Sequence, residues 1–245
     1  MVGRILSFGD MALEPDVRML DAVRGLLYDR YWASRAADMP LYFMYRDVCF
    51  SEEDRELIRR NGLRYDVTII PPALLGVEYV KTAGHYHPPV PGQRLSYPEL
   101  YYVLKGEAHY LLQKAEGSRV VDVILVKAKE GDNVLIPPGY GHVTINPSSK
   151  ELAMANWVCR DFSSVYKPYV EKNGAAFFEL AGGRLVENGS YGPLPEVRLF
   201  QSANYEEFGL QKGRDAYSLI GNLDVLEYLK NPGKHRRLFD LLFKL

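Results

Sequence analysis

The sequence has few cysteines, no long apolar run and almost no net charge, and each of these shortages excludes a class of protein. Two cysteines in 245 residues allow at most one disulfide bond, so we expect a fold that does not depend on oxidation and a cytoplasmic setting. The longest apolar stretch, Val120–Val126 with Asp122 inside it, has the length of a strand, whereas a membrane helix needs roughly 20 apolar residues. No membrane partner is therefore expected. A formal net charge of −1 offers no broad cationic surface for nucleic acid.

The composition that remains is typical of a globular protein rich in strands. Apolar residues make up 47% of the chain and charged residues 25%. Tyrosine is common, and Val, Ile and Tyr occur in short runs broken by Gly and Pro, a pattern typical of antiparallel strands. We therefore predict a mainly all-β fold, a sandwich or barrel with helices only at its edges. The predicted strands are Leu41–Arg46, Tyr65–Ile70, Val77–Thr82, Leu100–Lys105, His109–Gln113, Val120–Val126, Asn133–Ile136, His142–Asn146 and Ala153–Cys159.

Helix signals occur outside this central run of strands. Ser51 precedes acidic residues that suit a first helical turn, and Gly62 stands where a left-handed C-terminal cap would fall. Near the other end, Asn222 is a candidate cap for a helix over Leu223–Lys230, which Pro232 would end. We therefore predict peripheral helices on both sides of the central strands.

A segment rich in Gly and Pro, Leu185–Pro195, is the expected boundary between a main domain and a tail. It divides residues 1–190 from a partly helical C-terminal extension, residues 191–245. Within the extension, leucines at helical spacing form a narrow apolar stripe, which we expect to pack on the barrel or on a second subunit. The stripe consists of Leu238, Leu241, Leu242 and Leu245.

Three of the five histidines fall in two short patches that suit a metal site. Residues two apart in a strand share a face, so His85 and His87 project to the same side. A carboxylate from the next strand, Glu99, would add an oxygen ligand. A rigid turn, Pro137–Gly141, then delivers His142 at the start of another strand. Three neutral imidazoles and one carboxylate predict a divalent transition metal held by these four residues.

The other two histidines have simpler interpretations. His109 lies one strand after Glu99 and has no partner at strand spacing, so we interpret it as a structural residue. His235 stands in the basic run Lys234–Arg237 and is expected on a solvated helix face.

Both histidine patches resemble the paired motifs of the cupin barrels. The second patch follows the family spacing throughout, whereas the first has eleven residues between His87 and Glu99, where cupins usually have far fewer. The inserted segment contains Pro88–Arg94, which we expect to form a loop over the mouth of the barrel. The resemblance implies a cupin, or jelly-roll, β-barrel. The matching residues are His85, His87, Glu99 and Gly106 in the first patch, and Gly131, Pro137, Gly139, His142 and Asn146 in the second.

Within the cupins, the sequence is more similar to the archaeal-type glucose-6-phosphate isomerases, over about Arg18–Gly183. Thr68 lies fourteen residues before Thr82 and, with it, matches the family's phosphate-binding threonine pair, and Tyr166 matches a tyrosine that contacts the substrate phosphate. The signature as it stands here is Thr82-x-Gly84-His85-x-His87, then Glu99-Leu100-Tyr101-x-Val103-Leu104-x-Gly106, then Tyr110-Leu111-Leu112-Gln113.

Two positions depart from this family pattern. Trp157 stands where the family has a phosphate-contacting tyrosine, and Ser164 stands near the place of a family histidine. The C-terminal extension falls outside the resemblance.

The resemblance implies a cytoplasmic enzyme of glycolysis and gluconeogenesis that interconverts glucose 6-phosphate and fructose 6-phosphate, with residues 1–190 as its isomerase domain and a homodimer as its assembly. Thr68, Thr82 and the Gly84 amide would hold the substrate phosphate together with Tyr166. One divalent metal per subunit is expected. Iron is the first choice, with manganese, nickel, cobalt or zinc as alternatives, because three imidazoles dominate the ligand set.

The reaction moves a hydrogen between C1 and C2 of the sugar, and the sequence leaves two routes open. Glu99 is the candidate base by position, although coordination to a metal lowers its basicity. A metal-assisted hydride shift avoids that conflict. Tyr101 shares the inward face of Glu99, so its hydroxyl would order the sugar oxygens.

Two other functions use the same ligand set. An iron-dependent cupin oxygenase would consume oxygen with a small organic substrate and would lack phosphate donors, so Thr68, Thr82 and Tyr166 argue against it. A non-catalytic sugar-binding cupin would hold a structural metal and contact a partner through its tail. The departures at Trp157 and Ser164 keep that second alternative open.

Overall fold

The computed structural model describes residues 4–202 and 205–243 of the chain. The strands are β1 (Leu6–Phe8), β2 (Met11–Leu13), β3 (Asp16–Met19), β4 (Pro40–Tyr45), β5 (Leu63–Ile70), β6 (Leu74–Leu75), β7 (Glu78–Tyr79), β8 (Glu99–Lys105), β9 (Glu107–Glu116), β10 (Arg119–Lys129), β11 (Asn133–Ile136), β12 (Tyr140–Ile145), β13 (Leu152–Cys159), β14 (Phe177–Leu180), β15 (Arg184–Glu187) and β16 (Val197–Gln201). The α-helices are α1 (Arg30–Arg35), α2 (Glu52–Arg60), α3 (Lys167–Glu171) and α4 (Arg236–Phe239). Short 3-10 helices cover Leu20–Ala22, Arg24–Leu26, Glu206–Phe208, Ala216–Leu229 and Pro232–His235.

Two sheets face each other across an apolar core. The larger sheet has the strand order β11-β8-β13-β5-β4-β3, and the smaller has the order β12-β9-β10-β16. Their inner faces meet in one cluster, which includes Tyr101 and Met154 from the larger sheet and Tyr110 and Ile124 from the smaller. This is the mainly β, jelly-roll architecture with peripheral helices that the sequence predicts.

Strand alternation sorts the side chains of β8 between the inside and the outside of the jelly roll. Tyr101 and Val103 point into the core between the sheets, whereas Leu100 and Tyr102 pack in a second cluster on the outer face. Because successive side chains of a strand point to opposite faces, this parity also directs Glu99 inward.

An extended segment beside β12 completes the smaller sheet. Thr82 N donates to Thr144 O at 2.9 Å. His85 and His142 form an antiparallel bridge, in which His85 N donates to His142 O at 3.2 Å and His142 N donates to His85 O at 3.0 Å. The segment therefore runs alongside β12 and carries its alternate side chains toward the core.

Helix α2 begins and ends where the sequence signals place it. Ser51 Oγ accepts a hydrogen bond from the backbone N–H of Asp54 at 3.2 Å, which caps the first turn. Gly62 follows the helix with a φ of +67°, the left-handed conformation that favours glycine.

The C-terminal extension covers the outer face of the larger sheet. Strand β16 first adds to the smaller sheet as a parallel neighbour of β10. The following 3-10 segments then pack apolar residues such as Tyr217 and Leu226 against Tyr65 and Trp157 of the sheet. The extension thus buries an apolar sheet surface that the jelly roll alone would expose to water.

The predicted helix over Leu223–Lys230 is present, in the 3-10 form and ending at Leu229. The backbone from Ala216 to Leu229 is 3-10, and the non-helical Asn222, with φ −156° and ψ 77°, divides it just before Leu223, where the predicted helix begins. Most of its apolar residues are buried, so contacts with the sheet rather than a regular α-helical ladder hold this segment.

The leucine stripe of the tail packs partly on its own chain. Leu238 and Leu242 contact the outer-face cluster, whereas Leu241 is 61% exposed. Leu245 lies outside the described residues.

The two cysteines are not paired in a disulfide bond, and the described helices are all short. Cys49 and Cys159 are buried free thiols. Within residues 4–202 and 205–243, no helix has the length and apolar character needed to cross a membrane.

Candidate metal centre

Three structural elements bring the four predicted ligands together. His85 and His87 lie on the extended segment beside β12, His142 lies on β12 itself, and Glu99 opens β8 on the opposite sheet. The bridge between His85 and His142 places two imidazoles side by side. Glu99 lies on the inward-facing side of β8, so its carboxylate points toward them across the core.

The ligand atoms of this four-residue group converge on one point. His85, His87, Glu99 and His142 each offer one atom, and all of these atoms lie within 4.8 Å of one another. The Nε2 atoms of His85 and His87 are 3.1 Å apart. Glu99 Oε2 lies 3.3 Å from His87 Nε2 and 3.2 Å from His142 Nε2.

A divalent transition metal fits this arrangement. Glu99 Oε2 is buried and makes no hydrogen bond to any residue that the structure describes, although it faces two imidazole nitrogens. Buried carboxylate oxygens rarely stay without a hydrogen-bond partner unless another ligand uses their lone pairs. Three imidazoles and a carboxylate form a donor set that suits iron, manganese, nickel, cobalt or zinc.

Burial and mutual contacts give the four ligands the protonation states that metal binding requires. Burial, reinforced by the neighbouring His142 and His87, lowers the pKa of His85 well below its ordinary value. Burial also lowers the pKa of His142, even though Glu99 opposes this shift. Burial alone would raise the pKa of Glu99, but its contacts with His142 and His87 outweigh burial and hold that pKa well below the ordinary value. Neutral imidazoles and an ionised carboxylate are the forms that bind metals.

Tyr101 lies against the same group. Its hydroxyl is 3.1 Å from His142 Nε2, and burial followed by the charge of Glu99 raises the pKa of Tyr101 well above its ordinary value. The phenol therefore keeps its proton at neutral pH and can donate it in a hydrogen bond.

A cavity of about 310 Å³ opens beside the ligand group and collects the other predicted site residues. Thr68, Thr82, Gly84, Tyr101, Ser164 and Tyr166 line it, together with His85, His87 and Glu99. His142 lies behind this surface, 1% exposed.

Local backbone geometry explains two of these residues. Gly84 has a φ of +78°, and a Cβ there would lie 2.6 Å from Val143 and 2.7 Å from Tyr169, so only glycine fits. Thr82 Oγ1 accepts a hydrogen bond from Thr144 N at 3.0 Å, which leaves its hydroxyl proton for another acceptor.

Trp157 does not occupy the place that the family resemblance implies for it. It points away from the cavity, is fully buried beneath the C-terminal extension, and donates from Nε1 to the Ala216 carbonyl at 2.8 Å. Its neighbours Asn156 and Val158 line the cavity instead. The reason is strand alternation, since adjacent residues of β13 face opposite sides of the sheet.

Sequence reasoning missed two arginines in the cavity wall. Arg46 and Arg64 both line the cavity, and both contact the buried carboxylate of Asp66. The spacing on β5 could have indicated them, because Arg64, Asp66 and Thr68 are each two residues apart and therefore share the face that carries the predicted phosphate residue Thr68.

The two remaining histidines pair with acids outside the ligand group. His109 Nδ1 lies 2.8 Å from the nearer carboxylate oxygen of the buried Glu179. His235 Nε2 lies 2.6 Å from Glu227 Oε2 in the tail.

The inserted segment after His87 folds back on itself next to the metal centre. Pro89 and Ser96 form an antiparallel bridge, and Val90 and Tyr97 join a small apolar cluster with Phe162. The far side of the insert reaches the tail, where Gln93 Oε1 accepts a hydrogen bond from Gly233 N at 3.0 Å.

Fold and site together define a jelly-roll protein with a buried three-histidine, one-glutamate centre beside a cavity lined by threonines and arginines. The sequence profile described as glucose-6-phosphate isomerase (GPI) matches residues 19–196, so the chain belongs to the glucose-6-phosphate isomerase family, as its motifs predict. It is 25% identical over 170 residues to the glucose-6-phosphate isomerase of Thermococcus litoralis, covering 69% of this chain and 83% of that one. It is 28% identical over 176 residues to that of Thermococcus gammatolerans, covering 70% and 85%.

Among solved structures, oxalate decarboxylase from Bacillus subtilis overlaps 51% of this chain and 27% of its own, with a TM-score of 0.36 and 16% sequence identity.

Proposed function

We propose that the chain catalyses the interconversion of glucose 6-phosphate and fructose 6-phosphate, with a divalent transition metal held by His85, His87, Glu99 and His142. The observation that carries this proposal is the single cavity lined by three of these ligands and by the residues expected to bind phosphate. The family assignment supports the same reaction.

The protein's own groups suit a hydrogen transfer between C1 and C2 of the sugar. When bound, the metal would supply Lewis-acid polarisation of the substrate oxygens and a template for them. Glu99 is ionised at neutral pH, so its carboxylate has a lone pair to take the proton from one carbon and return it to the other, but its lowered pKa makes it a weak base. The protonated hydroxyl of Tyr101 would donate a hydrogen bond to a sugar oxygen and hold that oxygen in position.

A direct hydride shift between the two carbons is the alternative route, in which Glu99 is a ligand only. Turnover in deuterium oxide separates the two routes. Proton abstraction by Glu99 exposes the hydrogen to solvent and incorporates deuterium into the product. A product free of deuterium assigns the hydride shift.

Uncharged donors and one glycine form the proposed phosphate subsite. Thr68 and Thr82 supply hydroxyl groups, and Gly84 allows the phosphate to approach the backbone amide closely. Tyr166 lies at the edge of this subsite, with its ring 5.5 Å from that of His85. These residues support a phosphorylated substrate rather than the small substrate of a cupin oxygenase.

The proposal includes iron as the metal, the cytoplasm as the location, glycolysis and gluconeogenesis as the pathways, and a homodimer as the assembly. The exposed Leu241 side chain supports an interface near the tail. Light scattering on the purified chain tests the dimer, and Leu241→Asp should shift it toward the monomer if the tail forms the interface.

The first experiment is turnover of fructose 6-phosphate by protein stripped with a chelator and then loaded separately with iron, manganese, nickel, cobalt or zinc. We expect activity to vanish on stripping and to return with at least one of these metals. Tight metal binding without turnover of either sugar phosphate would contradict the isomerase assignment. Oxygen consumption by the iron form would then favour the oxygenase.

A further inference from the structure

The cavity wall formed by the larger sheet, which also carries Glu99, contains a pair of arginines that the proposed isomerase does not use. Arg46 continues from β4 and Arg64 lies on β5, and both side chains reach the cavity. Their side chains are 39% and 27% exposed, whereas the carboxylate between them, Asp66, is fully buried. The two guanidinium groups therefore lie at the cavity surface with their shared counter-ion behind them.

Asp66 orients both guanidinium groups and neutralises only one of their charges. Its Oδ2 accepts from Arg46 Nη1 at 2.7 Å and from Arg64 Nε at 2.9 Å. The backbone N–H of Asp47 donates to Oδ1 at 3.1 Å and fixes the carboxylate. Two positive charges on one negative charge leave a net positive charge in the wall.

Most of the N–H groups of Arg64 remain available to a ligand. Its Nε contacts Asp66, while its two terminal nitrogens make no hydrogen bond to any residue in the described ranges 4–202 and 205–243. A guanidinium with free terminal nitrogens presents the fork that binds phosphate or carboxylate through two hydrogen bonds.

The arginine pair lies beside the metal centre. In the register of the larger sheet, Asp66 pairs with Asn156, and Asn156 pairs with Tyr101. Arg64 pairs with Val158, which pairs with Glu99. Neighbouring strands lie roughly 4.8 Å apart, so one strand separates the arginine strand β5 from the ligand strand β8.

A sugar monophosphate carries one anionic group, and the proposed phosphate subsite at Thr68, Thr82 and Gly84 already accounts for it. We infer that Arg46 and Arg64 form a second anion subsite, which takes the other anionic group of a doubly charged sugar phosphate, either a second phosphoryl group or a carboxylate. This inference rests on the proposed function, because it assumes that the threonine subsite holds the first phosphate. It makes sugar bisphosphates and phosphorylated sugar acids ligands of the same cavity.

The test is calorimetric binding of three probes to the metal-loaded protein: fructose 6-phosphate, fructose 1,6-bisphosphate and 6-phosphogluconate. The wild type should bind at least one doubly charged probe about tenfold or more tightly than fructose 6-phosphate. The bisphosphate tests a phosphoryl group in the second subsite, and 6-phosphogluconate tests a carboxylate.

Arg64→Gln removes the two free terminal nitrogens of the guanidinium group. It should therefore weaken the binding of the preferred doubly charged probe about tenfold more than the binding of fructose 6-phosphate. Arg64→Lys keeps the charge and serves as the second variant if the glutamine form does not fold; it should lose part of the same preference. Arg59→Gln is the matched control, because Arg59 is exposed and contacts Asp47 outside the cavity. The control should keep the wild-type ratio of dissociation constants.

Equal weakening of singly and doubly charged probes in the Arg64 variants would overturn the inference, because the arginines would then bind the same phosphate as the threonines. Equal affinity for all three probes in the wild type would also overturn it. Turnover of fructose 6-phosphate is measured on the same samples. If the Arg64 variants lose the preference for doubly charged probes but no sample turns over fructose 6-phosphate, the proposed function is wrong and the second anion subsite stands. If the protein turns over fructose 6-phosphate but shows no such preference, the subsite is wrong and the proposed function stands.

Discussion

His87 is held in one orientation by the backbone of Tyr97, whose carbonyl oxygen lies 2.9 Å from the imidazole Nδ1. A carbonyl can only accept, so Nδ1 carries the proton and Nε2 presents its lone pair to the other ligands. The Phe162 ring packs 4.5 Å from the imidazole and stacks on the Tyr97 ring at 4.7 Å. The insertion that distinguishes this chain from other cupins therefore positions a metal ligand.

Phe162→Leu should weaken metal binding about tenfold while all four ligands remain, because the imidazole of His87 loses its aromatic support. Competition titration with a fluorescent chelator measures the affinity. Phe50→Leu is the control, since Phe50 stacks on Phe8 far from the ligand group. Equal affinities in the wild type and the Phe162 variant would show that the ring does not position the ligand.

His142→Ala should reduce bound metal to below about a tenth of the wild-type content, because the alanine leaves Glu99 and two imidazoles without their fourth partner. Metal content by plasma emission spectroscopy and turnover of fructose 6-phosphate should fall together. His235→Ala removes a histidine of the tail and should change neither quantity. Full turnover by a metal-free His142 variant would refute the metal-dependent mechanism.

Thr68→Val should raise the KM for fructose 6-phosphate about tenfold, because the valine keeps the shape and loses a hydroxyl donor to the phosphate. Thr144→Val is a matched control. Its buried Oγ1 has no hydrogen-bond partner among the described residues, so the same change there should leave KM unaltered. Steady-state kinetics on both variants distinguish phosphate recognition by Thr68 from a packing role in β5.

The ligand set was predictable because it depends on rules that operate over short distances in the sequence. The two-residue period of extended chain places His85 and His87 on one side, and a turn rich in Pro and Gly places His142 at the start of a strand. Helix α2 was predictable for a similar reason, since Ser51 and Gly62 mark its ends by local chemistry.

The features that sequence reasoning missed depend on contacts between distant segments. Trp157 faces either the cavity or the outside according to its place in the alternation of β13. An error of one residue in matching this position to the family pattern therefore assigns the side chain to the wrong face. The 3-10 form of the tail around Asn222 follows from the sheet surface beneath it rather than from a local period. Asp66 lies on a predicted strand, but Arg64 precedes the predicted start of that strand at Tyr65, and Arg46 follows a different strand.

The metal-free protein should lose stability in mild acid. Burial lowers the pKa of His85 and His142 in the folded chain, whereas an unfolded histidine titrates near about 6.5. Below that pH the unfolded chain binds more protons, so the free energy of unfolding falls by up to about 1.4 kcal/mol per pH unit for each histidine. Glu99 acts in the same direction but at lower pH, because its lowered pKa stabilises the fold above about pH 4.5 and that contribution is lost only below this value.

Urea unfolding of the stripped protein at pH 7.5 and pH 5.5 measures this loss. The double variant His85→Asn/His142→Asn lacks both buried imidazoles and should lose less stability between the two pH values than the wild type. A loss of the same size in both proteins would assign the acid sensitivity to other groups.

Trp157→Ala should destabilise the fold by about 3–5 kcal/mol, because it empties a fully buried site between the larger sheet and the tail. Trp157→Phe should cost about 1–3 kcal/mol, since it leaves the Ala216 carbonyl without its donor. Trp32→Phe is the control, because Trp32 is only partly buried and its ring nitrogen makes no hydrogen bond within the described residues. The Trp157→Phe variant should bind metal normally and keep its KM for fructose 6-phosphate within about twofold, as expected for a residue outside the cavity. A tenfold rise in KM at unchanged stability would instead place the indole at the phosphate.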